Sequence, residues 1–302
     1  MSKFVLHTGW KMKPKPIAYI LYITKDSKHE QILDLVPGKQ LTIKIAPNEP
    51  KFCIGFNSPQ GERMPCPSVE IIPQNKVQCQ NCSLNEFYLC RAYCQGDFCH
   101  PSSEEAREYC WKTSASIYLT SISGKMKVGS STSPLRRWID QGSDAGIVIG
   151  QGVGLDPRAL EYQIGTKLSL TMAVRISQKI NYLGKSIDRK HISEQMSAAI
   201  EEVYSSIKSE ILFPRDKLEE ITFLDEIYGD ISKIQMRPLL KKRSSEGLEI
   251  SGSIVGVKGS ILVLKNLETY FATNLNDLIG SHVLITEESI DMKGQKSLFD
   301  FV

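Results

Sequence analysis

Six of the eight cysteines in this 302-residue chain fall within the 32 residues from Cys79 to Cys110, and His100 stands among them. No other feature restricts the fold as much. A chain that gathers six thiols either stitches them into disulfides or lends them to a metal, and the compartment decides which. The first seven residues, Met-Ser-Lys-Phe-Val-Leu-His, hold no apolar core ahead of a small-residue cleavage site, so they do not read as a secretory signal. The longest apolar run, 17–23, is seven residues, far short of the ~20 that cross a bilayer. The chain is therefore expected in the cytoplasm, without a membrane partner. Thiols stay reduced there, and a dense cysteine cluster reads as a metal site.

Cys79-Gln-Asn-Cys82 offers two thiolates from one tight turn, the spacing that suits a tetrahedral zinc ion. Cys90, Cys94, Cys99, His100 and Cys110 are the candidates to complete it. Seven such ligands make one closed site, or two if Cys53 or Cys66 joins. Buried free cysteines acting as small hydrophobes are the alternative, and six around a CxxC pair argue against it. The expected zinc is structural, because four protein ligands close the coordination sphere.

Hydrophobic patterning divides the chain. Residues 1–76 are β-rich, with strand-like runs at 17–23 and 40–46 separated by Pro, Gly, Asn and Ser. Residues 77–112 are the cysteine module, 113–185 alternate strands and helices, and 186–247 form a helical segment, with helix expected over 190–229. Residues 248–288 return to β, and 289–302 are a polar tail. The fold class is α+β.

The segment 113–185 carries the residues of greatest chemical interest. A strand from Ser116 and a strand ending at Gly129 flank a Ser123-Gly124 turn, which makes a hairpin. Ser133-Pro134 then opens a helix as cap and first residue, bringing Arg137 and Gln141 to one face. Asp156-Pro157 opens another in the same way, with Glu161 in its second turn.

This order resembles the GIY-YIG nuclease superfamily. Ser116-Ile-Tyr118 stands where that family has Gly-Ile-Tyr, and Lys127-Val-Gly129 stands where it has Tyr-Ile-Gly. Arg137 follows Gly129 by eight residues, as the family's catalytic arginine does, and Glu161 corresponds to its metal-binding glutamate. The string Arg137-Trp-Ile-Asp-Gln-Gly142 after a cysteine-rich module also resembles DUF2797, a family that pairs a zinc-ribbon-like part with a GIY-YIG-like part. The resemblance implies a GIY-YIG-like central domain beside a zinc module, with β-rich terminal regions. It implies phosphodiester cleavage by Tyr118, Lys127, Arg137 and Glu161, with Mg²⁺ or Mn²⁺ held by Glu161. Lys127 replaces the family's second tyrosine.

The chain ends Gln295-Lys-Ser-Leu-Phe-Asp-Phe-Val302. Gln295, Leu298 and the terminal Phe301-Val302 resemble the PCNA-interacting peptide of archaeal and eukaryotic repair and replication proteins. That resemblance implies a sliding-clamp partner, DNA as substrate, and an archaeal source. Net charge is only +3, with basic residues grouped at 11–15 and 233–243. Tethering to a clamp reduces the electrostatic attraction that DNA binding would otherwise need. Two other readings stand beside a repair endonuclease: a non-cutting, clamp-tethered DNA adaptor, and an RNA-binding or RNA-processing protein.

Overall fold

The computed structural model describes residues 2–292 apart from 97, 172, 186, 235, 289 and 291. Gln295, Leu298, Phe301 and Val302 lie outside the described residues. The fold is α+β, and the chain separates into two compact units interleaved along the sequence. One comprises Met1–Glu49, Ile180–Lys185 and the chain from Tyr228 onward; the other comprises Pro50–Lys179 and Ser186–Ile227. The consecutive segments read from the sequence therefore do not coincide with the units. Residues 50–76 go with the cysteine module, and the two β-rich ends belong together.

The first unit is a nine-stranded sheet. Its order is Leu239–Leu240, Thr269–Asn274, Ile261–Asn266, Leu248–Lys258, Gln40–Ile45, His282–Thr286, Ser2–Lys11, Ile17–Thr24 and Ser27–Asp34. Neighbours are antiparallel except for the first pair. In Ile17–Thr24 buried and half-buried residues alternate, the period-two pattern that fixes register. Ile43 opposite Ile250 and Ile285 ties N-terminal to C-terminal strands through buried side chains.

The second unit is built on a four-stranded antiparallel sheet in the order Lys125–Ser131, Ser114–Ile122, Ala145–Val153, Thr222–Phe223. Ser123 and Gly124 both have positive φ, as a two-residue hairpin turn requires. Buried Asp144 accepts the Ser123 N–H at 2.6 Å and pins that turn. Ile117, Leu119, Val128, Ile147 and Ile149 form one core with Leu160 and Ile164 of the helix Asp156–Lys167 and with Ile192, Met196 and Val203 of the helix Arg189–Ser206. That second helix starts on Asp188, whose side chain accepts the His191 N–H. It stops at Ser206, well short of 229. Ile207 is already extended, and the following stretch, which holds Pro214, forms short 3₁₀ turns and a two-residue strand.

Candidate metal centre and catalytic cavity

Cys53, Cys66, Cys79 and Cys82 are all buried, and their sulfurs lie within 4.8 Å of one another. Two ribbons bring the first two in: Lys51–Phe52 pairs with Ile71–Ile72, and Phe56–Asn57 pairs with Arg63–Met64. Gly55 must be glycine, since its φ is +83° and a Cβ would sit 1.8 Å from the Met64 carbonyl oxygen. Cys79 caps the short helix Gln80–Leu84, its Sγ accepting the Cys82 N–H at 3.4 Å. The Cys53 sulfur accepts from the N–H groups of Cys79 at 3.2 Å and Gly55 at 3.4 Å. Cys66 Sγ is 4.0 Å from Cys79 Sγ.

The electrostatics suit a cation. Burial pushes the Cys53 thiol up, and burial plus its three neighbouring thiols pushes Cys82 up further. At Cys66 burial also acts upward but is outweighed by N–H donation from Glu70 and Ser68, which brings the thiol down to about 6. Four soft donors in one buried cluster, several already backed by N–H groups, fit a structural zinc.

Of the ligands read from the sequence, Cys79 and Cys82 join this cluster, and Cys53 and Cys66, read there only as possible partners in a second site, complete it. Cys90, Cys94, Cys99, His100 and Cys110 are not part of that cluster. The local signal was turn chemistry, Cys53-Ile-Gly55 and Pro65-Cys66-Pro67. The two knuckle-forming ribbons lie upstream of the densest thiol run, where density drew attention away from them.

Tyr118, Lys127, Arg137 and Glu161 line one cavity of about 540 Å³, together with Ser130, Gln141 and Arg158. Tyr118 sits opposite Gly129 across the hairpin. A Cβ on Gly129 would fall 2.4 Å from the Tyr118 hydroxyl, so the ring lies directly over the glycine. Trp138 meets the Tyr118 ring edge-on at 5.7 Å. Trp138 and Ile139 are the buried residues of the helix Pro134–Gln141, and they leave Arg137 and Gln141 to the cavity side. Ser133 precedes this helix, but its side chain makes no cap hydrogen bond. In the next helix the cap position is Leu155, and Asp156 is the first helical residue, not the cap.

Glu161 is 5% exposed. One oxygen accepts from the Ser130 hydroxyl at 2.6 Å and from the Arg158 guanidinium at 2.7 Å. The sequence reading missed both partners, although Arg158 is three residues from Glu161, a spacing that joins side chains on a helix. Burial raises the Tyr118 phenol to about 12 despite a hydrogen bond from Arg137. Burial also lowers Lys127, against the pull of Glu161. The cavity therefore holds a phenol that stays protonated, an amine that gives up its proton more readily than usual, two guanidinium groups and one carboxylate.

A family model described as a protein of unknown function (DUF2797) matches residues 38–282 of the chain. No curated protein and no solved structure matches it. Among the described residues no helix is long and apolar enough to cross a membrane.

Proposed function

We propose that this chain, which belongs to the DUF2797 family, is a zinc-containing, metal-dependent endonuclease of the GIY-YIG type that acts on DNA in repair or replication and is recruited by the sliding clamp. The observation that carries the reading is the shared cavity of Tyr118, Lys127, Arg137 and Glu161. It is supported by the element order of hairpin, helix, strand and helix, and by the Gly129 backbone under the Tyr118 ring. Tyr93 and Phe98 line the same cavity while 79% and 65% exposed, which suits stacking on unpaired bases.

The division of labour follows from the electrostatics. Arg137, on the exposed side of its helix, offers a bidentate fork to a phosphate and neutralises charge as the P–O bond lengthens. Tyr118, protonated through the physiological range, donates a hydrogen bond and orients an oxygen rather than removing a proton. Lys127, with its proton affinity lowered by burial, is the better base. Glu161 is a hard oxygen donor of the kind that holds Mg²⁺ or Mn²⁺ with substrate phosphates completing the shell. When bound, such an ion polarises the phosphate and stabilises the leaving oxygen. Arg158 must swing away from Glu161 to admit it. The terminal Gln295, Leu298, Phe301 and Val302 supply clamp binding from the sequence resemblance alone.

One observation favours a second reading, a DNA adaptor that binds without cutting: Ser130 and Arg158 already occupy Oε2 of Glu161. A cleavage screen with Mg²⁺ or Mn²⁺ over duplex, flap, fork, bubble and single-stranded DNA separates the two. Cleavage of at least one substrate is expected, with Arg137→Ala slower by about 10²–10³-fold, the scale for losing one transition-state donor. Binding without cleavage on every substrate overturns the endonuclease in favour of the adaptor. RNA cleaved in preference to DNA overturns the substrate.

A further inference from the structure

The zinc cluster of Cys53, Cys66, Cys79 and Cys82 is complete with four sulfurs, yet four more cysteines remain, none in a disulfide. Cys90 lies in the 3₁₀ turn Leu89–Ala92, Cys94 and Cys99 on the loop that follows, and Cys110 in the helix Glu104–Lys112. All four line the catalytic cavity. We propose that Cys90, Cys94, Cys99 and Cys110 hold a second zinc ion, which fastens the 90–101 loop as one wall of that cavity.

Three observations carry this. First, all four are half-buried. A cysteine kept for packing behaves as a small hydrophobe and is among the most fully buried residue types, which none of these four is. Second, the spacings Cys90-x₃-Cys94 and Cys94-x₄-Cys99 fall in the range by which short turns deliver pairs of thiolates to zinc. Third, the loop is held in a demanding place. Gly96, with φ +87°, presses on the helix Asp156–Lys167 so closely that a Cβ would lie 2.1 Å from the Ala159 backbone nitrogen. The large side chains of this loop, Tyr93 and Phe98, are nonetheless mostly in solvent. A thiolate-bound ion supplies a fastening, because metal binding is folding free energy for such a segment.

The charges agree. Four thiolates around Zn²⁺ leave two net negative charges, and Arg107, Arg137 and Arg158 line the same cavity. The thiols share one wall without meeting as the first four do, so binding draws them together. His100 is exposed and its ring packs on Phe98 at 4.4 Å, which leaves it out of the set.

Metal counting on the full chain, purified from zinc-replete cells, tests the proposal independently of any nuclease activity. Native mass spectrometry with elemental analysis is expected to give two zinc ions per wild-type chain. Cys94→Ser with Cys99→Ser should hold one, and His100→Ala should keep two. One zinc in the wild type, or two retained in the double variant, overturns it. If the double variant fails to fold, Co²⁺ titration of the wild-type chain decides. Thiolate-to-cobalt absorption saturating at two equivalents supports the second centre, and saturation at one removes it.

Discussion

A single hydrogen atom decides the geometry around Tyr118. Gly129 faces it across the hairpin, and any β-carbon there would occupy the space of the phenol. Gly129→Ala should therefore cost about 1–3 kcal/mol, the usual penalty for overfilling a packed site. In a Tyr118→Ala background the same change should cost much less, since the clashing ring is gone. Denaturant titration of the four proteins of this cycle checks both statements. Tyr118 also makes a prediction about alkaline pH. The folded chain holds the phenol proton up to about 12, whereas an unfolded chain releases it near about 10. Between those values the folded state binds more protons than the unfolded one, so this contribution is complete below about 10 and is lost as pH rises through about 12. Tyr118→Phe should flatten that part of the stability profile, as read from denaturant midpoints at stepped pH. At this scale the sequence was informative about placement: Tyr118, Gly129 and Arg137 stood at recognisable intervals. It was silent about environment, because the burial that lifts Tyr118 and lowers Lys127 comes from Trp138 and other distant neighbours.

Elements formed from local signals were readable, and those formed by distant partners were not. Ser123-Gly124 announced its hairpin, and Pro134 its helix, because turn and first-turn residues act within a few positions. The helix expected over 190–229 ran too far, since apolar residues beyond Ser206 continue while the backbone becomes extended at Ile207. The metal knuckle was half legible: Cys79 and Cys82 share one turn, but Cys53 and Cys66 arrive on separate ribbons. That small lobe has little else to hold it. Besides its four cysteines, its core includes Ile72 with Phe56 packed against it. Structural zinc contributes roughly 10–16 kcal/mol of apparent binding free energy in small metal modules, so if these four thiolates hold zinc as proposed, its removal should melt the lobe selectively. Hydrogen exchange measured with and without a strong chelator is expected to rise sharply across 51–87. The ladder of the nine-stranded sheet should stay protected. Equal loss of protection in both places would mean that the metal supports more than this lobe.

At the scale of the whole molecule, the proposed recruitment rests on the last eight residues. If Leu298 and Phe301 fill an apolar pocket on the clamp, Phe301→Ala should weaken clamp binding tenfold or more, while Lys296→Ala should leave it nearly unchanged. Calorimetry of the full chain against an archaeal clamp reads this. Cleavage of short oligonucleotides, which needs no clamp, should be the same in both variants. The arrangement of the sheet could not be foreseen from the sequence, because pairing of Gln40–Ile45 with Leu248–Lys258 and His282–Thr286 joins strands more than two hundred positions apart. That pairing has a consequence for how the protein is made. On the ribosome, the strand Gln40–Ile45 emerges more than two hundred residues before either of its neighbours. At roughly 5–20 residues per second, it waits some tens of seconds with its edges open. The unit carrying the cysteines and the cavity, spanning 50–227, has by then left the tunnel and can close. Arrested nascent chains in which residue 227 has just left the tunnel should therefore already resist protease within 114–206 while being cut freely within 2–45. A newborn molecule would thus own its cysteine cluster and its cavity before it owns the nine-stranded sheet.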